Sequence, residues 1–333
     1  MIKTIYIEES IKNHPRTKKI LKNFFNPTIV LCNRYDEIFN RKKQNFRIQK
    51  SRPSLILANK FDNFVLPTPK GLGIGSEKNY YFSHMLNCLY DCRYCFLQGM
   101  YKSSNFVLFV NFESFGRKID EIIQNNSSEK KITFFSGYDC DSLVMESITG
   151  FIKYFLPFFR EKPNAEIELR TKSISIKEIL NLEPFDSCII AFSFTPNEIA
   201  KTNEHGTPSV SSRIDAMKKL SDKGWKVGLR LDPLIYHINF KKNYKKLIND
   251  IFSKVNINSF HSVSIGAMRF PNQMYNQILD FYPDEELLVN SLTKRNKMIS
   301  YPTNIEQEMI NDCKKYLSKY IEKDKIFAFN PYS

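Results

Sequence analysis

No run of 18 apolar residues occurs in this 333-residue chain, and its first residues lack the pattern of a secretory leader, so neither a membrane span nor export is expected. The cysteines are therefore expected as reduced thiols in the cytoplasm. A second Cys-x2-Cys knuckle is also missing: outside one compact group, Cys32, Cys140, Cys188 and Cys313 each stand alone. That weighs against a structural zinc site, which usually combines two knuckles or Cys/His pairs. Neither an internal repeat nor a low-complexity tract interrupts the chain. Acidic residues are in deficit, 35 against 49 Lys and Arg, which leaves a formal net charge of +14. This balance suits a polyanionic partner such as nucleic acid, although a general bias toward Lys would give the same figure.

What the sequence does have is the loop Asn87-Cys88-Leu89-Tyr90-Asp91-Cys92-Arg93-Tyr94-Cys95. Three cysteines spaced Cys-x3-Cys-x2-Cys can direct three thiolates into one concavity and hold three corners of a 4Fe-4S cube. The fourth iron is then without a protein ligand. A plain electron carrier has no use for an open iron, whereas a catalytic cluster needs one to hold a cofactor through its oxygen and nitrogen atoms. The spacing therefore points to a radical enzyme using S-adenosylmethionine (SAM). Zinc held by these three thiolates and a distant fourth ligand is the alternative.

At 42% hydrophobic content the chain can bury one large core. From about Asn79, short β-branched and aromatic runs alternate with segments of helical period. Strands are predicted at Tyr80 to Leu86, Lys131 to Phe135, Ala165 to Arg170, Ser187 to Phe194, Trp225 to Leu231 and His261 to Gly266. Helical faces are predicted at Leu143, Ile148, Phe151, Ile152 and Phe155, at Ile214, Met217 and Leu220, and at Tyr244, Leu247, Ile248, Ile251, Phe252 and Val255. Six β-then-α units predict an α/β fold, a partial (β/α)6 TIM-type barrel, with its chemistry at the carboxyl ends of the strands. The cysteine loop follows the first of them. Residues 1–75 read as an N-terminal extension, opening on a strand-like Lys3 to Glu8 and closing on a linker broken by Pro67, Pro69, Gly71, Gly73 and Gly75. The barrel is assigned to 76–275. The remainder, 276–333, holds the basic segment Lys294 to Tyr301 and a helix-like Ile305 to Ile321.

The cysteine loop, together with the Ile5-Tyr6-Ile7-Glu8 opening and the positions that follow, resembles the spore photoproduct lyase family of radical SAM DNA-repair proteins over nearly the whole chain. The resemblance implies a 4Fe-4S cluster on Cys88, Cys92 and Cys95, with SAM on the open iron. It further implies a 5′-deoxyadenosyl radical that takes a hydrogen from a thymine-thymine adduct in DNA, and a protein thiol that returns one to the product. Cys140 stands where the family has that thiol, and Asp139 and Asp141 beside it are expected to keep it protonated. Lys172 resembles the lysine that meets the SAM carboxylate. Ser193 and Ser142 resemble SAM contacts, the latter with a helix N-cap as its structural alternative. Tyr94 matches a family tyrosine and is expected with Cys140 among the catalytic residues, as an alternative hydrogen donor, but Phe96 stands in place of a second tyrosine, so a two-tyrosine hydrogen relay is not carried over.

Glu204-His205-Gly206-Thr207 and Arg213 resemble the segment after the fourth strand, and Arg230 and Asp232 are expected either to line the cavity or to pair with each other. Lys294, Arg295 and Lys297 lie where the family has a DNA-entering hairpin, and Tyr301 is expected to pack against an extruded base. Lys241, Lys242, Lys245 and Lys246 are the alternative basic contact. The implied partners are damaged DNA and an electron donor such as flavodoxin or ferredoxin, with the chain a monomer. A related radical SAM enzyme with another substrate, and a non-catalytic metal-binding nucleic-acid module, are the competing readings.

Overall fold

The computed structural model describes residues 2–69, 71–126, 131–288 and 292–329. Within them six barrel strands form at Lys78–Phe82, Ile132–Ser136, Ala165–Thr171, Cys188–Ser193, Lys226–Leu234 and Phe260–Ala267. They lie side by side in chain order and pair in parallel throughout, as successive right-handed βα crossovers require. The fourth strand is buried at every position, as expected of a parallel sheet covered on both faces. Crossover helices bury the faces predicted for them: Tyr244, Leu247, Ile248, Ile251 and Phe252 in Phe240–Phe252, and Ile214, Met217 and Leu220 in Val210–Lys223. The helical pattern between Leu143 and Phe155 is split in two by Gly150, whose φ of 62° ends Glu146–Thr149 before Phe151–Arg160 begins.

Two additions extend this sheet. Leu66–Pro67 pairs antiparallel on one edge, and Ile326–Ala328 pairs parallel on the other. The second lies in the tail, where no strand was predicted, because three residues offer no alternation to read. The tail helix runs Thr303–Leu317 and stops short of Ile321. Residues 289–291 and 330–333 of the expected appendage lie outside the described residues.

The first 75 residues build a second parallel sheet, with Thr4–Glu8 between Thr28–Cys32 and Leu55–Ala58. From beyond residue 75, Phe106–Phe109 adds a further parallel strand and Met85–Leu86 an antiparallel one at the edge. The strand predicted as one piece from Tyr80 to Leu86 is thus broken at Ser83 and His84, and its end crosses to the other sheet. The cysteine loop leaves from that crossing point, between two sheets. No helix among the described residues is long and apolar enough to cross a membrane.

Candidate active site

At the carboxyl ends of the barrel strands lies a cavity of about 600 Å³, lined by Cys88, Cys92, Cys95, Cys140, Lys172 and Ser193, among others. Sequence positions from 88 to 193 are thereby brought to one place. The cysteine loop is fixed at both ends and in the middle. Asn87 takes a left-handed backbone, φ 68°, and its amide donates to the Ser103 and Asn105 carbonyls at 2.8 and 2.7 Å. Lys50 donates to the carbonyls of Cys88 and Tyr90 at 3.2 and 3.3 Å. Asp91–Cys92 pairs antiparallel with Glu204–His205, and the Arg93 amide donates to the Asn203 carbonyl at 2.9 Å. Gly99 allows the short helix Leu97–Met100 to lie on Asn272–Phe281, since a Cβ there would collide with the Met274 carbonyl.

The three thiols are free, and burial raises the pKa of each: Cys88 is pushed up to about 12 and Cys92 and Cys95 also rise. Two ammonium groups oppose that shift. Lys172 acts on Cys92 and Cys95, and Lys50 on Cys88 and Cys95. Three thiols of one loop with two cations at hand form a donor set that fits an anionic iron-thiolate cluster. Among the described residues, no three His, Cys, Asp or Glu side chains are grouped so as to hold a single metal ion.

Lys172 stands over the Tyr94 ring, 5.4 Å from its centroid. Burial pulls its pKa down, but the Cys92 thiol and the Glu204 carboxylate outweigh burial and leave it raised. It is held as a cation facing the cavity. Ser193 also faces the cavity, and its carbonyl accepts from Arg213 at 3.0 Å. Ser142 does not line the cavity: its hydroxyl is buried against the Ser136 hydroxyl at 2.8 Å and the Ser136 carbonyl at 3.0 Å. The capping role considered for it is not taken up: the helix that follows begins at Glu146 with Met145 as its N-cap, and the loop is instead organised by Asp141. That buried carboxylate accepts from the amides of Leu143, Val144 and Lys172 and from the Thr171 hydroxyl, tying the loop after the second strand to the end of the third.

Cys140 is 5% exposed, free, and opens onto the same cavity. Burial raises its thiol far above the usual range, and Cys88, Asp139 and Asp141 add to the shift. The acidic neighbours act as expected, but desolvation is the larger cause. Phe96 carries no hydroxyl, yet its ring lies 5.6 Å from that of Tyr138, which is tilted against Tyr81 at 4.4 Å, and all three line the cavity. Two phenols thus face the space beside Cys140.

Tyr94 is buried, and its hydroxyl donates to Glu204. The other partners of Glu204 are the Thr195 hydroxyl at 2.8 Å and Arg213 at 2.6 Å, with both charged side chains fully buried. The segment after the fourth strand is therefore a clamp on the cysteine loop, and Gly206, φ 78°, makes the turn within it. Arg230 and Asp232 do not pair with each other. Arg230 binds Glu168 at 2.8 Å, whereas Asp232 lines the cavity and binds Arg269 at 2.7 Å.

The predicted hairpin exists, as Thr293–Arg295 against Met298–Ser300, and Met298 brings it to the cavity rim. Lys294 and Lys297 are exposed, but Arg295 is turned inward to the Tyr301 carbonyl at 2.8 Å, the Thr303 hydroxyl and Glu306. Tyr301 is 1% exposed, with its hydroxyl accepting from the Tyr236 amide at 3.1 Å, so its ring is unavailable for stacking on a base. Its aromatic neighbour Tyr236, which the sequence did not single out, is 42% exposed instead.

A partial barrel whose mouth carries a three-cysteine loop and a cavity-lining lysine defines the radical SAM class of enzyme. The spore photoproduct lyase family model matches residues 3–329, and the chain belongs to that family. It is similar to the spore photoproduct lyase of Clostridium acetobutylicum, with 23% identity over 89% of this chain and 87% of that protein. The Bacillus subtilis spore photoproduct lyase is 21% identical over the same shares. Among solved structures, spore photoproduct lyase complexed with dinucleoside spore photoproduct superimposes with a TM-score of 0.83 at 15% identity, covering 98% of both chains. A mutant of that enzyme with bound AdoMet and the same dinucleoside gives 0.82 at 16%.

Proposed function

We propose that this chain reverses a thymine-thymine photolesion in DNA, of the spore photoproduct kind, by hydrogen-atom transfer. The observation that carries the reading is the placement of a free, buried Cys140 thiol in the lining of the same cavity as Cys88, Cys92, Cys95 and Lys172. Cys88, Cys92 and Cys95 hold the cluster, and the Lys172 ammonium meets the SAM carboxylate beside Ser193. Ser142 is left to support the loop from within. When bound, cluster and SAM supply a carbon-centred radical that removes one hydrogen atom from the adduct. Cys140 then gives the hydrogen back: its S–H bond breaks, a C–H bond forms on the separated thymine, and the unpaired electron remains on sulfur. A thiol suits this step because its S–H bond is weak, and the raised pKa keeps the proton on it. Tyr94 anchors the loop, while the exposed Lys294 and Lys297 steer the DNA phosphates. An acidic flavodoxin or ferredoxin is the fitting reductant for so basic a chain.

Anaerobic reconstitution, followed by reduction with SAM and a thymine-adduct oligonucleotide, tests the reading. The expected products are 5′-deoxyadenosine and two intact thymines. Deoxyadenosine without repair would point to another substrate in the same cavity. Failure to bind iron would point to a non-catalytic nucleic-acid module.

A further inference from the structure

The loop after the fifth barrel strand leaves the cavity wall at Asp232 and Pro233, which both line it, and runs through Ile235-Tyr236-His237-Ile238 to the helix Phe240–Phe252. Ile238 at its tip is 97% exposed. Single exposed apolar residues are common and by themselves mean little. This one is held out on a rigid support. The Ile235 amide donates to the Tyr244 hydroxyl at 2.8 Å, and the Tyr236 amide to the Tyr301 hydroxyl at 3.1 Å. Both ring nitrogens of His237 are engaged, with the Ile235 carbonyl and Asn243 at 3.0 Å each, and the Phe240 amide closes on the His237 carbonyl. Five hydrogen bonds thus fix a short turn whose outermost side chain is a branched hydrocarbon.

The surroundings state what would cover it. Tyr301 joins the loop to the base of the hairpin that carries the exposed Lys294 and Lys297, and the helix that follows the loop carries the exposed Lys242 and Lys245. An apolar tip on a loop rooted in the cavity wall at Asp232 and Pro233, and joined to two cation-bearing elements, fits duplex DNA, where an aliphatic wedge unstacks a base step while cations hold the phosphates. We infer that Ile238, backed by Tyr236, is a wedge that enters the duplex beside the lesion and holds open the step from which the damaged pair leaves the stack. This rests on the reading of the chain as a DNA-lesion lyase, and deepens it by separating duplex opening from chemistry.

The test uses the full-length reconstituted protein and the same lesion in two forms, as a dinucleoside and within a duplex carrying 2-aminopurine next to it. Ile238→Ala should repair the dinucleoside like the parent, but lose about tenfold in kcat/KM on the duplex together with the 2-aminopurine fluorescence rise on binding. Ile238→Leu, which keeps the hydrocarbon, should restore both. Parent-like repair and fluorescence with duplex for Ile238→Ala would overturn the wedge and leave the tip free for a protein partner. An equal loss on both forms would overturn it as well, since the residue would then be acting on the site. If the parent itself forms deoxyadenosine but repairs neither form, the lyase reading fails, while the fluorescence comparison still decides the wedge.

Discussion

A thiol that hands over a hydrogen atom must first keep it, and Cys140 does so chiefly because it is dry. Its two flanking aspartates were visible in the sequence and do push the same way, but burial, the larger cause, belongs to packing against Met85 and Met145 that no local pattern announces. Replacing Cys140 with Ala should leave iron content and SAM cleavage intact and still allow the cross-link to break. The stranded product radical should then appear as thymine adducts of whatever reductant is present, read by mass spectrometry, with multiple turnovers lost. Cys32, Cys188 and Cys313, none of which lines the cavity, should be replaceable without changing the product pattern. The spacing of Cys88, Cys92 and Cys95 and the strand-end position of Lys172 could be read from the sequence, and the four line one cavity. Asp141 and Glu204 were not understood as clamps, because their partners Thr171, Tyr94 and Arg213 come from other parts of the chain. Glu204→Gln leaves Arg213 charged and buried, and should cost about 3–5 kcal/mol in thermal or denaturant unfolding. It should also lower the iron retained after gel filtration, because the Asp91–Cys92 pairing loses its support.

At the level of elements, the six strands could be read because each is a continuous apolar run of ordinary length bounded by helical period. What escaped were Ile326–Ala328, with too few residues to carry a period, and the break at Ser83 and His84 that divides the predicted Tyr80 to Leu86 into Lys78–Phe82 and Met85–Leu86. The hairpin was legible as a basic segment, but its three cations divide by role. Lys294 and Lys297 face outward, whereas Arg295 is spent on Glu306 and the Tyr301 carbonyl. Lys294→Ala with Lys297→Ala should therefore reduce the slope of log Kd against log salt by about two and leave the melting temperature nearly unchanged. Arg295→Ala should do the reverse, lowering the melting temperature with little change of slope. Equal slopes in all variants would move the phosphate contact to Lys242 and Lys245.

Across the whole molecule, the barrel interior beneath the site is held by charges that fold cannot hide without pairing. Glu168, on the third strand, is fully buried and binds Arg230 on the fifth at 2.8 and 3.1 Å and Arg170 at 3.1 Å. Burial alone would raise its pKa, but Arg230 and Arg170 prevail and take it from 4.5 to about 2. A carboxylate held down in this way stabilises the fold at pH above its unfolded value, and that share is lost as pH falls from about 4.5 through about 2. Glu146 has the opposite sign. Burial drives it up to about 8 despite the amide of Ile152, so its contribution is complete below 4.5 and drains away as pH rises through about 8. Unfolding free energy should accordingly fall on both sides of an acidic-to-neutral maximum. Urea titrations across that range should show Glu146→Gln flattening the alkaline decline while the acid one persists. Glu168→Gln should flatten the acid decline, but from a baseline lower by about 3–5 kcal/mol, because Arg230 keeps its charge inside the barrel without a carboxylate to meet it. An acid limb unchanged in Glu168→Gln would show that other depressed carboxylates, Asp232 and Glu204 among them, set the acid limit of this fold.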